Sequence, residues 1–289
     1  MNGPQISWLA DGRRLHMNHG PIDLIVEAWG EAGEVRLAYE QAAARFETIL
    51  GELVSELPAL RGHLPGPVFT SSTARRMANA VSPFAPTFIT PMAAVAGAVA
   101  DEMLAAMCCG RFLQKAYVND GGDIALHLTA GETLALGIGG TGRGGRFEVG
   151  YDMPVRGVAT SGWRGRSFSL GIADAVTVLA ASGAAADAAA TIIANDVDLP
   201  GHPAISRTPA NVLQPDSDLG ERLVTAGVGA LTENEIACAL DGGLATANAL
   251  VRQGLIAGVA LFLAGQARMA GISGPPEYKR TKHESFAHA

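Results

Sequence analysis

Cysteine is nearly missing from this chain. Only Cys108, Cys109 and Cys238 occur in 289 residues, and neighbouring Cys108 and Cys109 are poorly placed to bridge each other. No cysteine spacing resembles a zinc site, and the odd, low count fits a reducing compartment. Charge is also scarce, at 17% of residues, and the formal balance is −7. A basic stripe for a nucleic-acid backbone is absent, which excludes nucleic acid as a main partner. The most apolar run, "LIAGVALFLAG" over 255–265, is too short to span a bilayer as a helix. "MNGPQISWLADGRRLH" has no apolar signal core. These absences read as a cytoplasmic protein with no membrane partner.

What is abundant is apolar residues, at 48%, and 36 glycines. That is enough to bury a substantial core. "RLHMNHGPIDLIVEAWG" (14–30) reads as two strands around a Gly-Pro turn, and 33–57 as an amphipathic helix stopped by Pro58. Residues 62–68 read as a linker, 71–80 as a short helix, and 92–110 as a buried helix with Gly110 as its stop. From 111 the period falls to two. "FLQKAYVN", "DIALHLT", "TLALGIG" and "RFEVGYDM" read as consecutive strands of one meander, continued by "VRGVATSG" and "RSFSLGI". A strand at 174–181, an Ala-rich helix at 182–196 capped by Ser182, an irregular stretch from 200 to 220 and a helix at 232–254 follow. The order predicts an α+β class, antiparallel sheets flanked by helices. It places one domain over 1–275 and a flexible tail over 276–289.

Three stretches carry chemistry. In "VNDGGDI", Asn119 and Asp120 precede Gly121-Gly122 and Asp123 follows. This is either hairpin chemistry or a bare backbone facing a ligand or hard cation. In "AAADAAAT", Asp187 and Thr191 lie four apart on a predicted helix, so they share a face. A lone carboxylate among alanines is either solvated or paired, and a carboxylate with a hydroxyl suits Mg²⁺. "GVATSGWRGRSFS" brings Thr160, Ser161, Gly162, Arg164 and Arg166 together, either as an anion cradle or as a solvated hairpin end. "GIGGTGRGG" (137–145) reads as a flexible loop or lid, for it lacks the helix that a Rossmann fingerprint needs. The seven histidines form no cluster. No side chain stands out as a general base; Asp123 is the candidate named for it.

Taken in order, "VNDGGDI", "GVATSG" and "DAVTVLAASGAAADAAAT" resemble the motifs of ApbE-type FAD:protein FMN transferases. The resemblance covers about residues 90–195, and the helix 33–57 weakly. "LHMNHGPIDLIVEA" and "MAAVAGAVAD" are similar to an uncharacterised cytoplasmic branch of that superfamily. The resemblance implies an ApbE-like fold. It implies a cleft that takes FAD, FMN or a related phosphorylated ligand beside Gly97, with Mg²⁺ held by the carbonyl of Asp120, the Asp187 carboxylate and the Thr191 hydroxyl. It implies Mg-dependent phosphoryl, nucleotidyl or flavin transfer. Two departures stand against transfer of FMN to a protein. Only "WRGRSFSLGIA" joins the "ATSG" and "VTV" strands, without the family's His or Asp-Pro, and Ala96-Gly97-Ala98 replaces an Ala-Lys-Gly. The alternatives are a carrier that holds a flavin, nucleotide or pterin without turnover, and a homodimeric or larger assembly that uses "LIAGVALFLAG" as its contact strand.

Overall fold

The structure is a computed structural model that describes residues 3–63, 66, 68–137 and 146–271. Most of the expected lid at 137–145, the tail 276–289 and part of the 62–68 linker lie outside the described residues.

The chain opens with β1 (Gln5–Trp8), β2 (Leu15–His19) and β3 (Ile22–Gly30). Helices α1 (Ala32–Leu60) and α2 (Ser72–Val81) follow, then 3₁₀ turns at Ser82–Phe84 and Pro91–Ala94, then α3 (Val95–Cys108). Next come β4 (Leu113–Asp120), β5 (Asp123–Leu128), β6 (Thr133–Gly137), β7 (Arg146–Gly150), β8 (Gly157–Ser161), β9 (Ala175–Ala180) and α4 (Gly183–Asp196). The last part holds β10 (Ile205–Pro209), α5 (Ala210–Leu213), β11 (Leu223–Val228), α6 (Glu233–Arg252), β12 (Gly258–Leu263) and β13 (Gln266–Gly271).

Nine strands form one sheet in the order β1-β2-β3-β4-β5-β8-β9-β12-β13. Every pair in it is antiparallel. Alternate residues such as Leu24, Val26, Val118, Val178 and Leu261 point to one face, where α1, α3, α4 and α6 cover them in a continuous core. This is the α+β arrangement of antiparallel sheets flanked by helices. Helix α1 buries Ala38, Ala42, Phe46, Ile49 and Leu53 at steps of three and four. Its first amides, Gly33 N–H and Glu34 N–H, donate to the Glu31 carboxylate at 2.8 and 3.2 Å. The Pro91–Cys108 stretch has the length and mean hydropathy (1.3) of a membrane span, but 56% of it is buried as the central core helix.

Several expectations are corrected. Pro58 sits inside α1, whose last turn runs on to Leu60. The proline removes only the donor to the Val54 carbonyl, and Val54 lies on an exposed face where water can serve it. The meander is broken: among the described residues β6 and β7 pair only with each other, and β8 takes the place beside β5. Leu134, Leu136 and Val149 of that hairpin cover Leu126, Leu128 and Val158, which point away from the helices and need a lid of their own. Segment 166–172 forms no strand, because its backbone is spoken for elsewhere. Leu170 N–H donates to Asn195 Oδ1 at 2.9 Å and Ile172 N–H to the Val197 carbonyl at 2.8 Å. The "irregular" 200–220 stretch contains β10 and α5, with β10 pairing the distant β11. Strand β1 is a further element: Gln5-Ile6-Ser7-Trp8 alternates polar and apolar, but the run is only four residues long and all four are exposed at the sheet edge, so the pattern marks no buried face. Strand β12 pairs β9 on one side and β13 on the other, so its edges are not free for a subunit contact.

Candidate functional site

The diglycine pair is a two-residue hairpin turn. Asp120 and Asp123 are direct partners across it, and Gly121 and Gly122 have φ of +61° and +115°, the positive values that the tightest hairpin turn requires. Asn119 Oδ1 accepts the Gly122 N–H at 2.8 Å and fixes the bend. Strand alternation then sets direction. Asp120 lies two residues from Val118, and Asp123 two from Ala125, both core residues, so the two carboxylates point toward the helix layer. Asp120 is 5% exposed. Its Oδ1 accepts the Asp23 amide at 3.5 Å, and Asp123 Oδ1 accepts the Thr160 amide at 3.0 Å.

Helices α3 and α4 meet above this turn at their N-termini. Gly97 and Gly183 form the crossing. A Cβ on Gly183 would lie 2.8 Å from the Gly97 carbonyl oxygen, and one on Gly97 would overlap the Gly183 carbonyl. Each helix caps the other. Asp101 of α3 accepts the Gly183 and Ala184 amides at 2.8 and 2.9 Å, while Ser182 Oγ accepts that of Ala185 at 3.2 Å. Asp187 of α4 reaches back and its Oδ2 accepts the Gly97 amide at 3.1 Å. These are the amides that a helix start leaves without internal partners, and carboxylates there also meet the positive end of the helix dipole.

The acids act on one another. Burial is the largest influence on each. It pushes Asp120 up to about 7, helped by Asp123 and opposed by the Asp23 amide and by Arg166. It pushes Asp123 up to about 7, opposed by the Thr160 amide and Arg166. Asp187 is driven well above the ordinary carboxylate range, first by burial and then by the charge of Asp123, and further by Asp120. Asp187 keeps part of its surface open although protein crowds around it. Three carboxylates therefore converge from β4, β5 and α4, with Arg166 as the cation that offsets two of them. A Cβ on Gly121 would overlap the Arg166 guanidinium, so that side chain lies against the turn.

The remaining sequence candidates fall in different places. Thr191 is half-buried one turn beyond Asp187, and among the described residues its hydroxyl has no hydrogen-bond partner. Thr160 lends its amide to Asp123, but its hydroxyl meets Thr177 Oγ1 at 2.9 Å. Ser161 is half-buried at the end of β8, and Gly162 packs too tightly on the carbonyls of Ala173 and Asp174 to carry a side chain. Arg164 is committed elsewhere: its Nε donates to Asp174 Oδ1 at 2.6 Å and its guanidinium lies 4.7 Å from the centre of the Trp163 ring. Arg166 makes no ion pair among the described residues. No group of three or more His, Cys, Asp or Glu residues, among those described, is arranged as a metal cage. The oxygen set at hand is mixed, from carboxylate, hydroxyl and carbonyl.

Two further acids belong here: Asp101, which the sequence reading did not single out, and Asp23, a strand-interior acid that draws notice in the sequence but could equally face water. Asp101 had the same signal as Asp187, an acid inside an apolar helix, and the same cause, an exposed helix start beside it. Asp23 pairs its carboxylate with His16 and gives its amide to Asp120, a link that only the β3–β4 register creates. A groove of about 550 Å³ opens elsewhere, beside the start of α2, lined by Arg45, Glu52, Glu56 and Arg75. Its charges are engaged: Arg45 pairs Glu52 at 2.7 Å, and Glu56 accepts the Thr70 and Ser71 amides.

Comparison with known proteins agrees in part with the motif reading. The sequence model of the family described as AbpE bacteria matches residues 6–269. The chain is similar to a UPF0280 protein of Methanothermobacter thermautotrophicus, 39% identical over 116 residues that make up 39% of this chain and 44% of that one. It is also similar to a UPF0280 protein of Methanosphaerula palustris, 39% identical over 132 residues, 44% of this chain and 53% of that one. The chain thus spans about half the length of the curated relatives it matches. Among solved structures it is similar to the flavinyl transferase ApbE of Pseudomonas stutzeri in its apo form, at 13% identity and a TM-score of 0.44, over 94% of this chain and 96% of that one.

Proposed function

The chain belongs to the AbpE bacteria family, and from that premise we propose that it binds a phosphorylated flavin-like, nucleotide-like or pterin-like small molecule in the recess between the β4–β5 turn and the starts of α3 and α4. The observation that carries this reading is the convergence of Asp120, Asp123 and Asp187 in one recess, where burial and mutual repulsion raise their proton affinity. A cluster of that kind costs stability unless a cation offsets it. The donors are hard oxygens, which fits Mg²⁺. Asp187, Thr191 and the Asp120 carbonyl would hold the ion. When bound, it supplies positive charge against a phosphate.

The chain's own groups do the rest. Asp101 and Ser182 hold the start of α4, and so fix where Asp187 stands. Asn119 locks the turn that aims Asp120 and Asp123. Arg166, rather than Arg164, is the guanidinium left to meet ligand phosphate oxygens. Gly97 lets the α3 start come close to the start of α4, where its amide meets the Asp187 carboxylate. If the site turns a ligand over, phosphoryl or nucleotidyl transfer suits this charge arrangement.

A second reading, a carrier that holds its ligand without turnover, has its own support. Residues 162–174 between β8 and β9 contain no histidine, and their exposed Arg164 is tied to Asp174. One experiment separates the two. The purified chain is titrated with FAD and FMN, with and without Mg²⁺, and AMP release is followed. Mg-dependent flavin binding that Asp187→Asn removes supports the site, and AMP release selects transfer over carriage. If no flavin binds and Mg²⁺ changes nothing, the flavin reading falls.

A further inference from the structure

A second hollow, of about 290 Å³, lies between the loop that follows α2 and the turn before β11. His63, Pro86, Thr87, Phe88 and Arg222 are among its lining residues. Its charge is opposite to that of the acid cluster, because no carboxylate lines it among the described residues. The central carbon of the Arg222 guanidinium lies over the Phe88 ring, 3.3 Å from its centre, and the His63 ring meets the same phenyl edge-on with ring centres 4.6 Å apart. Stacking uses the face of a guanidinium and leaves its N–H edge free.

The backbone holds this arginine firmly. The Arg222 amide donates to Leu219 O at 3.1 Å, and its carbonyl accepts the Ala210 amide at 2.9 Å. The acids of the same loop are engaged elsewhere. Asp216 pairs Arg61 at 2.7 Å, and Asp218 accepts the Thr90 hydroxyl. Glu221 is exposed next to Arg222 in sequence, yet among the described residues the Arg222 side chain makes no ion pair. A fixed guanidinium with a free edge, an imidazole beside it and no neutralising carboxylate in the wall is the arrangement that captures an oxyanion.

We propose that this hollow binds the oxyanion of a small molecule, a phosphomonoester or a carboxylate, in the plane of the Arg222 guanidinium with His63 alongside. The site shares no residue with the acid recess and has the opposite sign, so it stands or falls independently of the flavin reading.

Titration of the full chain with inorganic phosphate and, separately, with acetate tests it, by NMR of the His63 ring and the Arg222 Nε–H. Saturable shifts at both residues are expected. Arg222→Met keeps an unbranched stem over Phe88 without the charged fork, and is expected to weaken binding about tenfold or more, as loss of a charge-assisted pair does. Saturation by phosphate alone identifies a phosphomonoester site, and saturation by acetate alone a carboxylate site. Linear shifts with neither anion saturating, or an unchanged titration in Arg222→Met, overturn it as well. Arg222 is exposed, so the variant is expected to fold, and the unaltered remainder of its spectrum verifies that.

Discussion

Asp187, on the second turn of α4, accepts the amide hydrogen of Gly97 at the start of α3, at 3.1 Å. This one bond ties a candidate cation ligand to a structural duty. Removal of the side chain therefore has two separable effects. Asp187→Ala is expected to cost about 1 kcal/mol through the lost cap and to abolish any Mg²⁺ response. Asp187→Asn keeps an oxygen for Gly97 and loses only the second. Urea unfolding set beside a Mg²⁺ titration checks both; equal stability loss in the two variants would deny the capping role.

Gly97→Ala is expected to destabilise the protein by about 1–3 kcal/mol, the usual range for forcing atoms into a packed interior. The added methyl meets the Gly183 carbonyl, which belongs to another helix and cannot swing aside. Chemical denaturation reads it, and a loss below a few tenths of a kcal/mol would mean that the helices separate freely.

Gly121→Val tests the turn itself. At φ +61° a β-branched residue is strained by about 1–3 kcal/mol, and the side chain also displaces Arg166. Stability and ligand binding are expected to fall together. A variant with wild-type stability and binding would remove the need for close backbone approach.

The acids predict a pH dependence with a definite sign. Asp120 and Asp123 are pushed up to about 7 in the fold, above the roughly 3.9 of an unfolded aspartate. Their contribution to stability is thus complete below about pH 4 and is lost as pH rises through about 7. In chelator, the wild-type melting temperature is expected to fall over this window relative to Asp123→Asn, which keeps an acceptor for the Thr160 amide. Added Mg²⁺ should restore more stability at pH 8 than at pH 5. Parallel melting curves for the two proteins across the whole range would contradict the charge cluster.

Much of this was legible from residue pattern. The steps of three and four in 33–57, the Ser182 cap and the helix expected from 232 each appear where the sequence places them, the last with Thr232 and Glu235 in a capping box. The acids beside the diglycine turn do lie near enough for their charges to act on the acid in the alanine helix, although neither stretch names the other. What stayed hidden depends on long-range pairing. Thr160 turns its hydroxyl to Thr177 because of the β8–β9 register, and Arg164 finds Asp174 ten residues on. The separate placement of β6–β7 follows from which face of β5 lacks cover, and strand-period alternation is blind to that.

The cysteines offer an independent check on packing around α3. Burial pushes the Cys108 thiol up to about 11, while Cys109 and Cys238 are exposed. With iodoacetamide at pH 8, mass mapping is expected to find Cys109 and Cys238 alkylated first and Cys108 only after unfolding. Early loss of the Cys108 thiol would place the end of α3 nearer solvent than its surroundings imply.

The detached β6–β7 hairpin has a consequence for how the protein breathes. Among the described residues its strands pair only with each other, its tie to the main sheet is the Lys115 ammonium on the Thr133 carbonyl and Glu132, and it rests on a small apolar cluster apart from the main core. Lifting it away breaks the Lys115 side-chain contacts but no backbone bond of the nine-stranded sheet. Its amides should therefore exchange with deuterated solvent through a shallow local opening, well before those of β4 or β9, which give up their protons only when the whole molecule comes apart.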